Sequence, residues 1–360
     1  MILYRYWQAL AIVTAVSAGV VHAQGPAPVA DTAAAAAPLP AEAFARLPFL
    51  QAPALSPDGT RVAVKMAIKG EQRFAIVPLD DTSKLVMISP GPNDLNSWAW
   101  VNNDWLVATI GATAPVEGDS WYLRRTIGIS ADGKKINVLG KDLAAQGADD
   151  ILWIARDGSP HIRLALQTSI YRDTAGFWPE VRDFDVTNGH SVQVQPPRET
   201  VMDWYADGTG TVRSGLAYDD DTRSYRLLYR DSAAQPFRTL VKAKGKDADL
   251  GNTPAMFLPE PGKALSISDA DDVTALYPLD LATLKTGAKL FGVPGYDIDG
   301  IISDESGTRL VGVQYTDTRP RVHWIDPALA DIQTKLDAAV GTRTARIVSW
   351  SKDFQVLIVH

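Results

Sequence analysis

Cysteine is absent from the 360 residues, which excludes disulfides, thiolate metal sites and cysteine nucleophiles together. Histidine is almost as scarce: beyond His22 there are only His161, His190, His323 and His360. Basic charge is not in surplus either, with 35 Lys+Arg against 42 Asp+Glu and a net charge of −7. No Lys/Arg cluster of the kind that neutralises phosphates occurs, so no nucleic acid partner is expected. No polybasic stretch adjoins an apolar anchor, so adhesion to anionic membrane is not expected. Long apolar runs are missing too. The longest, residues 9–21, has 13 residues, short of the roughly 20 a spanning helix needs.

Chemical motifs are equally thin. A serine nucleophile on a strand-to-helix turn needs G-x-S-x-G. The nearest string, Ala15-Val16-Ser17-Ala18-Gly19, lies in the N-terminal apolar stretch. No H-E-x-x-H occurs. Asp219-Asp220-Asp221 and the acidic stretch Asp269, Asp271, Asp272 lack the central Gly and terminal Glu of a calcium loop, and read as solvated turns, as do Asp297 and Asp299. The expectation is therefore no catalytic, cofactor-binding or metal-ligating residue and no cofactor.

What is present begins with an address. Residues 1–23 combine Arg5, a short apolar stretch and Val21-His22-Ala23, the pattern of a cleaved signal peptide. The reading is a chain exported to the periplasm or medium, with no integral membrane segment once the signal is removed. Residues 24–40, rich in Ala and Pro, read as a flexible linker. Residues 41–47 have the pattern of a short amphipathic helix.

From there onward one unit recurs: an apolar strand, a turn rich in Asp, Gly or Asn, a second β-rich strand and two weaker ones. The clearest copy runs over residues 53–89 around Asp58-Gly59. Anchors at Gly59, Asp104, Gly158, Gly208, Gly262, Gly307 and Phe354 are 45, 54, 50, 54, 45 and 47 residues apart. That interval fits four short strands per unit and is the period of a β-propeller blade. The fold class is all-β: a seven-bladed-type propeller over residues 41–360, with blades starting near 53, 98, 151, 202, 255, 300 and 345. Six blades are expected complete and the seventh incomplete, its strands around 345–351 and 354–359. In blade six a strand over 320–324 is followed by helical spacing at Ile332, Leu336 and Ala339.

LSPDGTRVAV (55–64) is similar to the first-blade signature of bacterial prolyl oligopeptidase-type serine peptidases. Residues 296–340 resemble the sixth blade of the acylaminoacyl-peptidase and dipeptidyl-aminopeptidase-like members, and 348–359 the start of the seventh. The resemblance implies a propeller that caps and size-filters access to an α/β-hydrolase domain bearing a Ser-Asp-His triad. It also implies that a peptide substrate and that hydrolase domain would be the partners in a full-length parent. This chain departs from the pattern by stopping before the hydrolase, so no triad residue carries over. The alternative is a stand-alone periplasmic propeller that binds a protein or peptide. Two groups of side chains remain as candidates for ligand contact. Trp98, Trp100, Trp153, Trp204 and Trp350 recur on first strands, where they stack a ligand or, as the preferred reading, fill the wedge between blades. Arg124-Arg125 and Arg319/Arg321 either face a carboxylate ligand or, as preferred, pair on the surface.

Overall fold

The computed structural model describes residues 48–245, 252–269, 272–341 and 344–360. The signal peptide, the linker and the helix expected over 41–47 lie outside these residues, as do Ala270 and Asp271 of the second acidic stretch.

Seven antiparallel sheets follow one another along the chain, each a simple meander. The first holds β1 (Leu50–Leu55), β2 (Arg61–Ile68), β3 (Glu71–Pro78) and β4 (Val86–Ile88). The second holds β5 (Asp94–Trp100), β6 (Trp105–Val116), β7 (Asp119–Ser130) and β8 (Ile136–Val138). The third has β9 (Asp150–Ile154), β10 (His161–Leu166), β11 (Glu180–Asp185) and β12 (Ser191–Gln195). The fourth has β13 (Val201–Ala206), β14 (Val212–Asp219), β15 (Ser224–Tyr229) and β16 (Arg238–Lys244). The fifth has β17 (Met256–Phe257), β18 (Lys263–Ser268), β19 (Ala275–Asp280) and β20 (Lys285–Thr286). The sixth has β21 (Ile298–Ser303), β22 (Leu310–Thr316) and β23 (Pro320–Trp324), and the last has β24 (Ile347–Trp350) and β25 (Leu357–Val359).

Five sheets thus have four strands, and the expected completeness of the sixth is corrected. After β23 the chain enters helix α1 (Pro327–Val340) in place of a fourth strand. The local sequence dictates this. Asp326 caps the helix by accepting from the backbone N–H groups of Ala328 and Leu329 at 3.0 and 3.2 Å. Pro327 supplies a fixed φ where no N–H is needed.

One turn chemistry recurs. Ser56 Oγ donates to Asp58 Oδ1 at 2.6 Å, and Gly59 N–H donates to Ser56 O at 2.9 Å with Gly59 at φ +70°. Ser130, Asp132 and Gly133 repeat it at 2.7 and 2.8 Å, again at φ +70°. Ser351 and Asp353 repeat it at 2.6 Å, but Phe354 occupies the left-handed position at φ +58°. The chain tolerates that conformation because Phe354 packs into the apolar cluster between the last two sheets.

The core is divided among the junctions. Six apolar clusters lie one at each contact between consecutive sheets. Alternation along a strand feeds two of them at once: Leu106 and Ala108 face the first sheet, while Val107 faces the third. The seventh sheet also meets the first. Leu55 N–H donates to Ser349 Oγ at 3.0 Å and Lys352 N–H donates to Pro57 O at 2.8 Å. The array is propeller-like, with its first and last sheets in contact.

Candidate functional site

The first strands of neighbouring sheets lie beside one another, β24 next to β1, β1 next to β5, and β9 next to β13. Their two ends differ in chemistry.

At the starting end, Asp149 and Asp150 precede and open β9, and Asp203 is the third residue of β13. The Asp150 and Asp203 side chains reach solvent. Even so, the surrounding protein desolvates Asp150, and with the like charges of Asp203 and Asp149 this pushes its carboxyl up to about 6. Desolvation also raises Asp203 and Asp149, the latter opposed by Arg124, whose Nε is 3.4 Å away. Tyr205, two residues along β13 from Asp203 and so on the same face, is pushed up to about 12 by desolvation and by Asp203 and Asp150. Carboxylates held this way attract cationic groups. Among the described residues no group of acids and histidines is arranged to hold a metal ion.

At the other end the turns of three sheets meet. Trp153 Nε1 donates to Gly208 O at 2.9 Å, joining the third sheet to the fourth. A Cβ on Gly208 would lie 2.4 Å from the Ser306 carbonyl oxygen, so this glycine is required by the approach of the sixth sheet's turn. The left-handed residue of the Asp207 turn is instead Gly210, at φ +80°. Gly210 N–H closes this turn on Asp207 O at 2.9 Å. The turns of the fourth and sixth sheets thus touch, with Gly208 against Ser306 and Gly307. Arg156, beyond β9, loses basicity through desolvation, partly offset by Glu305 in the sixth sheet's turn.

The tryptophans are packing groups. Trp100 Nε1 donates to Ala54 O of the first sheet at 2.9 Å, and fully buried Trp204 donates to Pro179 O of the third at 2.8 Å. Trp98 packs edge-on against Phe74 with centroids 5.4 Å apart, and Trp350 against Trp324 at 5.7 Å. Arg125 donates to the carbonyls of Ala144, Ala145 and Gln146 at 3.0, 2.7 and 3.1 Å and so fixes a loop. Arg321 pairs with Asp317 at 2.6 Å, and Arg319 donates to Thr344 Oγ1 at 2.6 Å. Asp220 pairs with Arg172, which ties the third sheet to the fourth.

The histidines are dispersed. His161 Nδ1 lies 2.5 Å from Asp183 Oδ1, and Asp183 is also paired with Arg163 at 2.8 Å. His323 stacks on Phe291 at 4.5 Å, His190 sits in a turn, and His360 pairs with Arg346 through the backbone. Among the described residues no histidine is hydrogen-bonded to a serine or threonine hydroxyl. The sequence reading missed the acids at the first-strand ends. A signal was available, since aspartate recurs near the start of the first strand in four units, at Asp94, Asp150, Asp203 and Asp299.

No family model and no curated protein matches the chain. Among solved structures it is similar to an oligogalacturonate lyase in complex with manganese, with TM-score 0.44 and 12% identity, covering 75% of each chain. It is similar to an acylaminoacyl peptidase in complex with Z-Gly-Gly-Phe-chloromethyl ketone, with TM-score 0.44 and 15% identity over 79% of this chain and 46% of that one. Oligopeptidase B from Leishmania major gives TM-score 0.47 and 9% identity over 80% of this chain and 41% of that one. The chain therefore spans less than half the length of either peptidase.

Proposed function

We propose that this chain is a non-catalytic, ligand-binding propeller module, exported from the cell, that admits peptides to a serine peptidase of the prolyl oligopeptidase type. The observation that carries the reading is the gathering of Asp149, Asp150 and Asp203 where β9 and β13 begin, with no nucleophile–base pair beside them among the described residues. Carboxylates in that setting select cationic groups by charge without performing covalent chemistry. The resemblance of residues 55–64 and 296–340 supplies the peptidase side of the proposal. A stand-alone binding module is the second reading, favoured by the contacts of Ser349 and Lys352 with the first sheet, which join the two ends of the array within this one chain.

The test has two arms. Purified protein is titrated with fluorescent peptides bearing a free or an acetylated N-terminus, and cleavage is followed in parallel. Binding that prefers the free amine, weakens in Asp150→Asn and Asp203→Asn, and leaves the peptide intact supports a binding module. Cleavage abolished by a single Ser substitution overturns it. The native gene product is then detected in its source cell with an antibody and a serine-reactive fluorophosphonate probe. A labelled polypeptide larger than 38.9 kDa supports the peptidase assignment, and an unlabelled one no larger than 38.9 kDa supports the stand-alone reading.

A further inference from the structure

A second site lies away from the first-strand acids, in the wedge between the sixth and seventh sheets. There β23, α1 and the segment entering β24 enclose a cleft of about 270 Å³. Arg319, Arg321, Arg346, Tyr315, Gln333 and Asp337 are among the residues that line it. The frame is fixed by Gln333, whose Nε2 donates to Ala345 O at 2.7 Å and to Asp337 Oδ1 at 2.9 Å. Its Oε1 accepts from Trp324 Nε1 at 3.4 Å, so one side chain ties the helix to both sheets.

The charges inside this frame do not cancel. Arg321 is matched by Asp317 at 2.6 Å. Arg319 reaches only the Thr344 hydroxyl, and among the described residues no carboxylate pairs with Arg319 or Arg346. The Tyr315 hydroxyl is likewise without a hydrogen-bond partner among the described residues. Two guanidiniums left unmatched in one cleft stand out in a chain of net charge −7. Among the described residues Asp337 is the carboxylate that lines the cleft with them. Among the described residues, and with Arg321 matched by Asp317, the cleft offers two unmatched positive charges, one negative charge and the Tyr315 hydroxyl. Guanidinium forks bind carboxylates bidentately, and a carboxylate binds an ammonium.

We propose that this cleft binds a free acidic amino acid of the aspartate or glutamate class. Its two carboxylates lie on Arg319 and Arg346, and its ammonium on Asp337. A cleft of about 270 Å³ has room for one small amino acid. The site is independent of the peptide-binding reading, because its residues belong to other sheets and its test measures a different ligand.

Isothermal titration of the 360-residue protein with L-aspartate and L-glutamate tests the site, with succinate, L-glutamine and inorganic phosphate as comparison ligands. The expected result is saturable binding of the acidic amino acids, with each comparison ligand about tenfold weaker or worse, since each gives up a charge-assisted contact. Arg319→Gln and Arg346→Gln should each weaken binding by about tenfold, and Arg346→Lys should fall between, keeping charge but not the fork. Asp337→Asn should remove the advantage of L-aspartate over succinate. Asp331→Asn, on the same helix and paired only with Lys335, should change nothing. Thermal melts of every variant separate lost binding from lost fold. Absence of binding at millimolar ligand, or phosphate binding that survives both arginine substitutions, would overturn the proposal.

Discussion

Replacing Gly59 by alanine tests whether the first and seventh sheets are packed together in solution. Gly59 sits at φ +70°, and a Cβ there would lie 2.9 Å from Ser351 Cβ and 3.0 Å from Val356 Cγ2, both in the seventh sheet. Two costs therefore add. The left-handed conformation costs an L-residue roughly 1–2 kcal/mol. Pushing a methyl into a packed contact costs about 1–3 kcal/mol more. A matched control separates them: Gly262, at φ +73°, has nothing within 4 Å of its would-be Cβ. Gly262→Ala should thus lose only the conformational part, roughly 1–2 kcal/mol. Gly59→Ala should lose about 2–5 kcal/mol in all. Urea unfolding followed by tryptophan fluorescence, together with thermal melts, reads the difference, a few degrees in Tm at about 2–4 °C per kcal/mol. Equal losses in the two variants would show that the seventh sheet does not press on the first, and the contact described between them would have to be abandoned.

Trp204→Ala should destabilise by about 3–5 kcal/mol, because the indole is fully buried between the third and fourth sheets. Trp204→Phe should cost less, about 1–3 kcal/mol, mainly from the unpaired Pro179 carbonyl; denaturant midpoints check both. Asp150 has a folded pKa raised to about 6 from an ordinary 3.8, so the folded state holds its proton more tightly than the unfolded chain. The stability this gives is full below pH 3.8 and is lost as pH rises through about 6, so Asp150→Asn should stabilise at pH 7.5 and not at pH 3.5. Asp203→Asn should lower the Asp150 midpoint seen by carboxyl-carbon NMR, since it removes one like charge. Mass spectrometry of protein recovered from its source cell should find Gln24 as the N-terminus; an intact Met1 in the membrane fraction would refute the signal-peptide reading.

The strand framework was legible because its punctuation is local. Ser56-x-Asp58-Gly59 carries every group its turn needs: a hydroxyl, a carboxylate and a residue at ease with positive φ. The repeat interval located the turn before Phe354, and the structure shows there the same Ser351–Asp353 bond with Phe354 in the glycine position. After Asp207 two glycines, Gly208 and Gly210, stand close together. One serves the turn, the other makes room for the sixth sheet, and only the tertiary contact tells them apart. The candidate sites were less legible for the same reason. Asp150 and Asp203 become neighbours only because β9 and β13 start side by side, a registration between repeats that neither repeat encodes alone. Arg319 drew notice in the sequence, but Arg346, its companion in the cleft, belongs to the next sheet.

The tryptophans show why a repeat fold hides its binding chemistry. A large ring on a first strand could serve a ligand or a neighbouring sheet, and the indole N–H decides between them. In Trp100, Trp153 and Trp204 that donor is spent on a backbone carbonyl of an adjacent sheet, Ala54, Gly208 and Pro179 respectively. Each ring therefore works as a strap across a junction, adding a directional bond to non-directional apolar burial. Such straps and the six apolar clusters fall at the junctions between consecutive sheets. The contact between the seventh sheet and the first includes two hydrogen bonds, through Ser349 Oγ and the Pro57 carbonyl, and the close approach of Gly59 to Val356. Leu55 and Val64 of the first sheet and Ile358 of the seventh are buried as well. Directional bonds and burial thus act together at this seam, as they do at the clustered junctions.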